Sequence, residues 1–243
     1  MSLLREYIRQ LLEFSIKANR KNVHQDGTSK SRGYMSGIDK TWTGEDTNDH
    51  LHNWYKKMGL MSESRGGTVH PKIYDMINRA EEAGYAVRAD EYEIFLLDKK
   101  NQEIIGRLVM DNDSMYGPCL GAYHVASSQA HEGFGPLLYD LAIELTGGLV
   151  PDRTQVSNSA RDVWKYYNDQ RDDVKKVQLD DLRNSLTPEE KDNCEQLSAA
   201  KDDSTGNLDA GDWAWGESPL SKKYSKQGRP VYNELRSRGM IEK

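Results

Sequence analysis

Two glycines one residue apart, Gly133 and Gly135, stand in the stretch Tyr123 to Leu145, between a run of strand type and a run of helical type. Glycine lets bare backbone come close to a ligand. Pro136 fits the first position of a helix, because its missing N–H is one of the donors a helix start leaves unpaired. Free N–H groups at such a start, with the helix dipole behind them, make an anion site whose usual occupant is phosphate. The chemistry these residues could do is capture of a phosphorylated ligand by backbone. The competing reading is a tight strand-to-helix turn that binds nothing.

The elements that must position this turn can be read on both sides of it. Tyr123 to Ala126 is a short apolar run of strand type, ended by Ser127, Ser128 and Gln129. Beyond Pro136, Leu137, Leu138, Leu141, Ala142 and Leu145 recur at helical spacing, and Ile143 widens the apolar face. Only Asp140 and Glu144 mark a wet side, so this helix is expected to lie on a sheet. Upstream, Pro71 opens a helix that sets Ile73, Met76, Ile77 and Ala80 on one face and ends at Gly84. Strand-type runs follow at Tyr85 to Arg88, Tyr92 to Leu97, Ile104 to Met110 and Cys119 to Ala126. Downstream, Asp152 to Val156 reads as one more strand. Ser157-Asn158 then caps a helix containing Ala160, Val163, Trp164 and Tyr167.

This succession resembles the acyl-CoA-binding core of the GCN5-related N-acetyltransferase (GNAT) superfamily, where a splayed strand meets a Gly-x-Gly turn that holds the CoA pyrophosphate. The family's turn usually reads Gln/Arg-x-x-Gly-x-Gly/Ala. Here Ala130 takes the first position, and Gln129 and His131 each stand one place from it. The resemblance covers Glu103 to Tyr167 and, more loosely, the earlier strands. It implies an α+β fold, with a mixed, mainly antiparallel central sheet flanked by helices and with N- and C-terminal helical extensions. It implies acetyl-CoA as cosubstrate, held by His131, Gly133, Phe134 and Gly135, while the backbone of Val125, Ala126 and Ser127 pairs with the pantetheine arm. The implied activity is transfer of an acetyl group to an amine, small or on a protein lysine. A base must then take the amine proton, and the candidates are Glu132, His124 and a water relayed by Ser127.

The segment VSNSARDVWKYY resembles the family's next element, Asn-x-x-Ala-x-x-x-Tyr, whose tyrosine often protonates the departing thiolate. Aligned on Ala160, it sets Ser157 at the Asn position and Trp164 at the Tyr position. An indole N–H donates a hydrogen bond but is no general acid near neutral pH, so the role falls to nearby Tyr167. The alternative function is a non-catalytic phage protein of this fold, serving as a structural, virion-packaged or host-interaction module.

The chain of 243 residues divides into four parts on this reading. Residues 1–20 form an amphipathic helix with Leu4, Ile8, Leu11 and Leu12 on one face, docked on its own domain or serving as an address segment. LREYIRQLL resembles the short amphipathic N-termini of tailed-phage proteins, which implies a capsid or host protein as partner. Residues 21–46 read as linker. Residues 47–170 form the GNAT-like domain, beginning with a helix that stripes Leu51, Trp54, Tyr55 and Met58. Residues 171–243 read as a charged helical extension, with a helix start at Thr187-Pro188, a solvated helix from Val231 to Arg238, and Trp213 and Trp215 packing back. The net charge of −6 argues against nucleic acid as a partner, and no apolar run reaches membrane length. Cys119 and Cys194 give neither a disulfide framework nor a metal set, which fits a bacterial cytoplasm.

Overall fold

A computed structural model describes residues 67–131, 133–197 and 215–242. The amphipathic segment, the linker, the Leu51–Met58 stripe, Glu132 and Trp213 lie outside the described residues. Helix α1 (Pro71–Glu82) buries Ile73, Met76, Ile77 and Ala80, the four residues of its apolar stripe. His70 caps it, its Nδ1 accepting from Lys72 N at 3.3 Å. Strands β1 (Tyr85–Ala89), β2 (Glu93–Asp98), β3 (Glu103–Asp111) and β4 (Tyr123–Ala130) then run as an antiparallel meander. Its first two turns are closed by carboxylates. Asp90 accepts from the backbone of Tyr92 and Glu93, and Asp98 from that of Lys100 and Asn101.

Helix α2 (Gly135–Thr146) follows β4, then β5 (Leu149–Val150), α3 (Asn158–Gln170), β6 (Lys175–Gln178), β7 (Lys222–Ser225) and α4 (Pro230–Ser237). The seven strands form one open sheet in the order β1-β2-β3-β4-β5-β7-β6, parallel at β4–β5 and antiparallel at the other strand junctions. This is the expected α+β fold, a mixed and mainly antiparallel sheet flanked by helices. Helix α2 is its centre: Leu137 through Leu145 are all buried. It sits close on the sheet because β3 offers Gly106, where a Cβ would meet Leu138 Cδ1 at 2.9 Å.

Several expectations are corrected. The described residues beyond 170 are not a helical extension, since β6 and β7 extend the same sheet. Their charge conceals this, because the lysines run their stems along the sheet and cap carbonyls with their ends. Lys223 Nζ donates to Leu120 O at 2.7 Å, and Lys222 Nζ to Gln178 and Gly216. Helix α4 is not solvated all round, since Val231, Tyr232 and Leu235 are buried. Residues 152–156 form no strand. Asp152 Oδ1 accepts from Thr154 N, Thr154 Oγ1 and Gln155 N, which turns the chain instead. Thr187 starts no α-helix, because it donates to Asp180 and Asp192, and only a 3-10 turn at Glu190–Asp192 follows. Cys119 and Cys194 are joined in a disulfide across a sequence separation of 75. Trp215 does pack back, donating its indole N–H to Leu179 O at 2.9 Å. Among the described residues no helix is long and apolar enough to cross a membrane.

Candidate functional site

Strand β4 is fourth of seven in the sheet, yet Ala126, Ser127, Ser128 and Gln129 are all exposed. The reason lies in its pairing. Against β5 it pairs only at Tyr123↔Leu149 and His124↔Val150, after which the two strands part. Against β3 the register steps from Met110↔Val125 to Val109↔Ser127, so Ala126 bulges out without a partner there. A sheet split in its middle leaves a row of backbone groups facing open space, the kind of edge an extended ligand can join as a strand.

The split is a cleft of about 550 Å³. Val125 to Ser128 line it from β4, and Asp152 and Thr154 to Ser157 from the segment after β5. Tyr139 of α2 and Ala160 and Trp164 of α3 complete the wall. The Tyr139 ring meets Trp164 edge to face at 5.1 Å, and its hydroxyl lies 2.9 Å from Ser128 Oγ. Burial pushes the Tyr139 phenol up to about 12, so it is neutral at physiological pH. The 152–157 wall is pinned from behind. Arg153, fully buried, donates to the carbonyls of Cys194, Glu195 and Leu220, and Gln196 Nε2 donates to Asp152 O at 2.9 Å. The disulfide to Cys119 anchors that pinning loop.

The wall strand and wall helix are joined by the glycine turn. Gly133 has φ +86°, a region that favours glycine, and its carbonyl accepts from Arg79 Nη2 at 3.2 Å. Phe134 N is committed to His131 O at 3.2 Å, and His131 N to Ile105 O at 2.9 Å. A Cβ at Gly135 would meet nothing within 4 Å, so the first turn of α2 opens on free space. Arg79 was not legible as part of this site. It arrives from α1, 54 positions upstream, lies over the Phe134 ring at 4.9 Å and brings a positive charge to a turn that has Ala130 where Gln or Arg was looked for. Comparison with protein-family models, curated proteins and solved structures finds no match.

Of the residues expected from sequence, Val125, Ala126 and Ser127 line the cleft, and His131, Gly133, Phe134 and Gly135 form the turn. His124 and Tyr167 are not among the lining residues. His124 is buried beside Tyr116, ring centroids 5.2 Å apart, and burial lowers its pKa so that it is neutral at pH 7. Tyr167 is wholly buried, and its hydroxyl donates to Asp140 Oδ1 at 2.6 Å and Pro136 O at 2.9 Å. Burial, reinforced by the Asp140 carboxylate, holds its pKa well above the usual value. That hydroxyl is spent on α2 and is removed from the cleft. In its place the fold offers Tyr139, which sequence reasoning passed over as one residue of an apolar helix.

Asp140 belongs to a buried ionic knot on α2. Arg171 grips it with Nη1 and Nη2, both at 2.9 Å. Lys226 Nζ lies 3.2 Å from Asp140 Oδ2 and 2.8 Å from Glu144 Oε1. Glu144 also accepts from Val231 N and Tyr232 N, so one carboxylate caps the start of α4. The helix that presents Tyr139 to the cleft is thus held in place by charge at its neighbouring residues.

Proposed function

We propose that the chain is an acyl-CoA-dependent N-acetyltransferase of the GNAT type, moving an acetyl group from acetyl-CoA to an amine. The observation that carries this reading is the parting of β4 from β5 after two residue pairs, in the strand that leads into the Gly133–Gly135 turn. The pantetheine arm would add to the open β4 edge as a strand, and the pyrophosphate would meet the first turn of α2 beside Arg79. Positioning the thioester against an incoming amine supplies much of such a rate enhancement, and donors facing the developing charges supply the rest. At the Ala126 bulge, backbone left without a β3 partner would be available to the thioester carbonyl.

The second reading, a non-catalytic module of the same fold, is favoured by Trp164 standing where a phenol is expected and by Tyr167 being sealed away. The two readings part in one assay. The protein is mixed with acetyl-CoA and a panel of polyamines and lysine peptides, and free CoA thiol is followed. Amine-dependent thiol release supports the enzyme. CoA binding with no release above the uncatalysed rate, for any amine, supports the module.

A further inference from the structure

A thioester that loses its acyl group leaves sulfur with a full negative charge. Inside a walled cleft that charge needs a donor. Among the described residues, the side-chain hydroxyls lining the cleft are those of Ser127, Ser128, Tyr139, Thr154 and Ser157. Thr154 Oγ1 is spent on Asp152 Oδ1 at 2.7 Å, and Ser157 Oγ caps α3 by accepting from Ala160 N at 3.3 Å. Tyr139 is different in kind. Its ring is 2% exposed and fixed by Trp164 and Tyr167, with centroids at 5.1 and 6.4 Å. Its oxygen shares one hydrogen bond with Ser128, a residue two places beyond the Ala126 bulge. With Ser128 Oγ as the donor of that bond, the one O–H of the rigid phenol is left for the cleft, and Phe in its place would keep the packing and lose only the hydroxyl.

We propose that Tyr139 is a catalytic residue of this cleft, its O–H donating to the thioester sulfur as the C–S bond breaks, with Ser128 as its positioning residue. The inference rests on the acyl-CoA reading and names the group that reading lacked. The amine nitrogen bonds to the acetyl carbon, the C–S electron pair passes to sulfur, and the amine proton passes to water. The thiolate, held by Tyr139, takes a proton from water as it departs. Because burial keeps the phenol protonated, the donor is present throughout the neutral range.

The test needs no acceptor amine. CoA itself is bound to the full chain, and the thiol is titrated through its thiolate absorbance in the parent protein, Tyr139→Phe and Ser128→Ala. A donor at the sulfur favours the thiolate, so the bound thiol should titrate lower in the parent than in Tyr139→Phe, by about one pKa unit. Ser128→Ala should give a smaller rise than Tyr139→Phe, and it carries the test if Tyr139→Phe does not fold. Identical midpoints in the parent and the folded variants overturn the Tyr139 assignment while leaving CoA binding intact. Failure of the folded parent protein to bind CoA, read before any titration, overturns the acyl-CoA reading and this inference with it.

Discussion

Replacing Lys226 by methionine removes the cation that faces Asp140 Oδ2 at 3.2 Å and Glu144 Oε1 at 2.8 Å, with all three side chains at most 2% exposed. The two carboxylates outweigh the cost of burial and hold the ammonium pKa above its ordinary value, so Lys226 is charged at neutral pH. Methionine fills a similar volume, so the loss is electrostatic. Removing one partner of a buried ionic group costs about 3–5 kcal/mol, because the other partner stays desolvated. The lower end applies here. Asp140 keeps both Arg171 contacts and Glu144 keeps the amides of Val231 and Tyr232. At about 2–4 °C per kcal/mol for a domain of this size, Tm should fall by about 6–12 °C. Urea denaturation followed by circular dichroism should show a lower midpoint at an unchanged slope, the mark of lost stability. A loss under about 1 kcal/mol, the worth of an exposed ion pair, would refute the buried knot.

Breaking the Cys119–Cys194 disulfide, by reduction or by Cys194→Ser, should cost about 4 kcal/mol for a separation of 75 residues, measured by the same melt. Tyr167→Phe should lower stability by about 1–3 kcal/mol through the lost hydrogen bond to a buried carboxylate, which keeps its Arg171 and Lys226 partners, and it should leave the titration of bound CoA thiol unchanged. His124 and His70 both have pKa values lowered by burial below 6.5. A folded pKa below the unfolded one means stability is full above about pH 6.5 and drains as pH falls toward the folded values. Tm should therefore drop between about pH 7 and about pH 5, and His124→Asn should flatten that slope.

The parts of the fold that were legible are those in which one face is apolar and the period is regular. The α1 stripe and the meander show it, and the glycine-proline start of α2 stands where its residues place it, but Asp140 and Glu144, expected on a wet side of α2, are buried in the ionic knot. The β6 and β7 strands were not legible because Lys175, Lys176, Lys222 and Lys223 break the apolar alternation while still lying in the sheet. Nothing local in the sequence marks Lys226 for burial, since only its tertiary neighbours Asp140 and Glu144 explain it. The disulfide joins residues far apart in sequence, and two cysteines carry no spacing signal for it. At the site, the turn and the β4 edge were visible locally. Arg79 and the Tyr139–Ser128 pair depend on which helix faces which strand, and that is information of the fold alone.

The proposed activity requires that the β4 edge and the α2 start hold acyl-CoA, and calorimetric titration of the intact protein with acetyl-CoA measures this. Gly135→Val serves beside it, because a Cβ there meets nothing within 4 Å and the branched side chain would stand at the first turn of α2, where the proposed pyrophosphate would bind. The parent should bind saturably. Affinity should be weaker by about tenfold or more in the folded variant, the worth of at least one hydrogen bond to a charged group. No heat of binding from the folded parent at millimolar ligand, or equal affinity in parent and variant, would contradict this requirement.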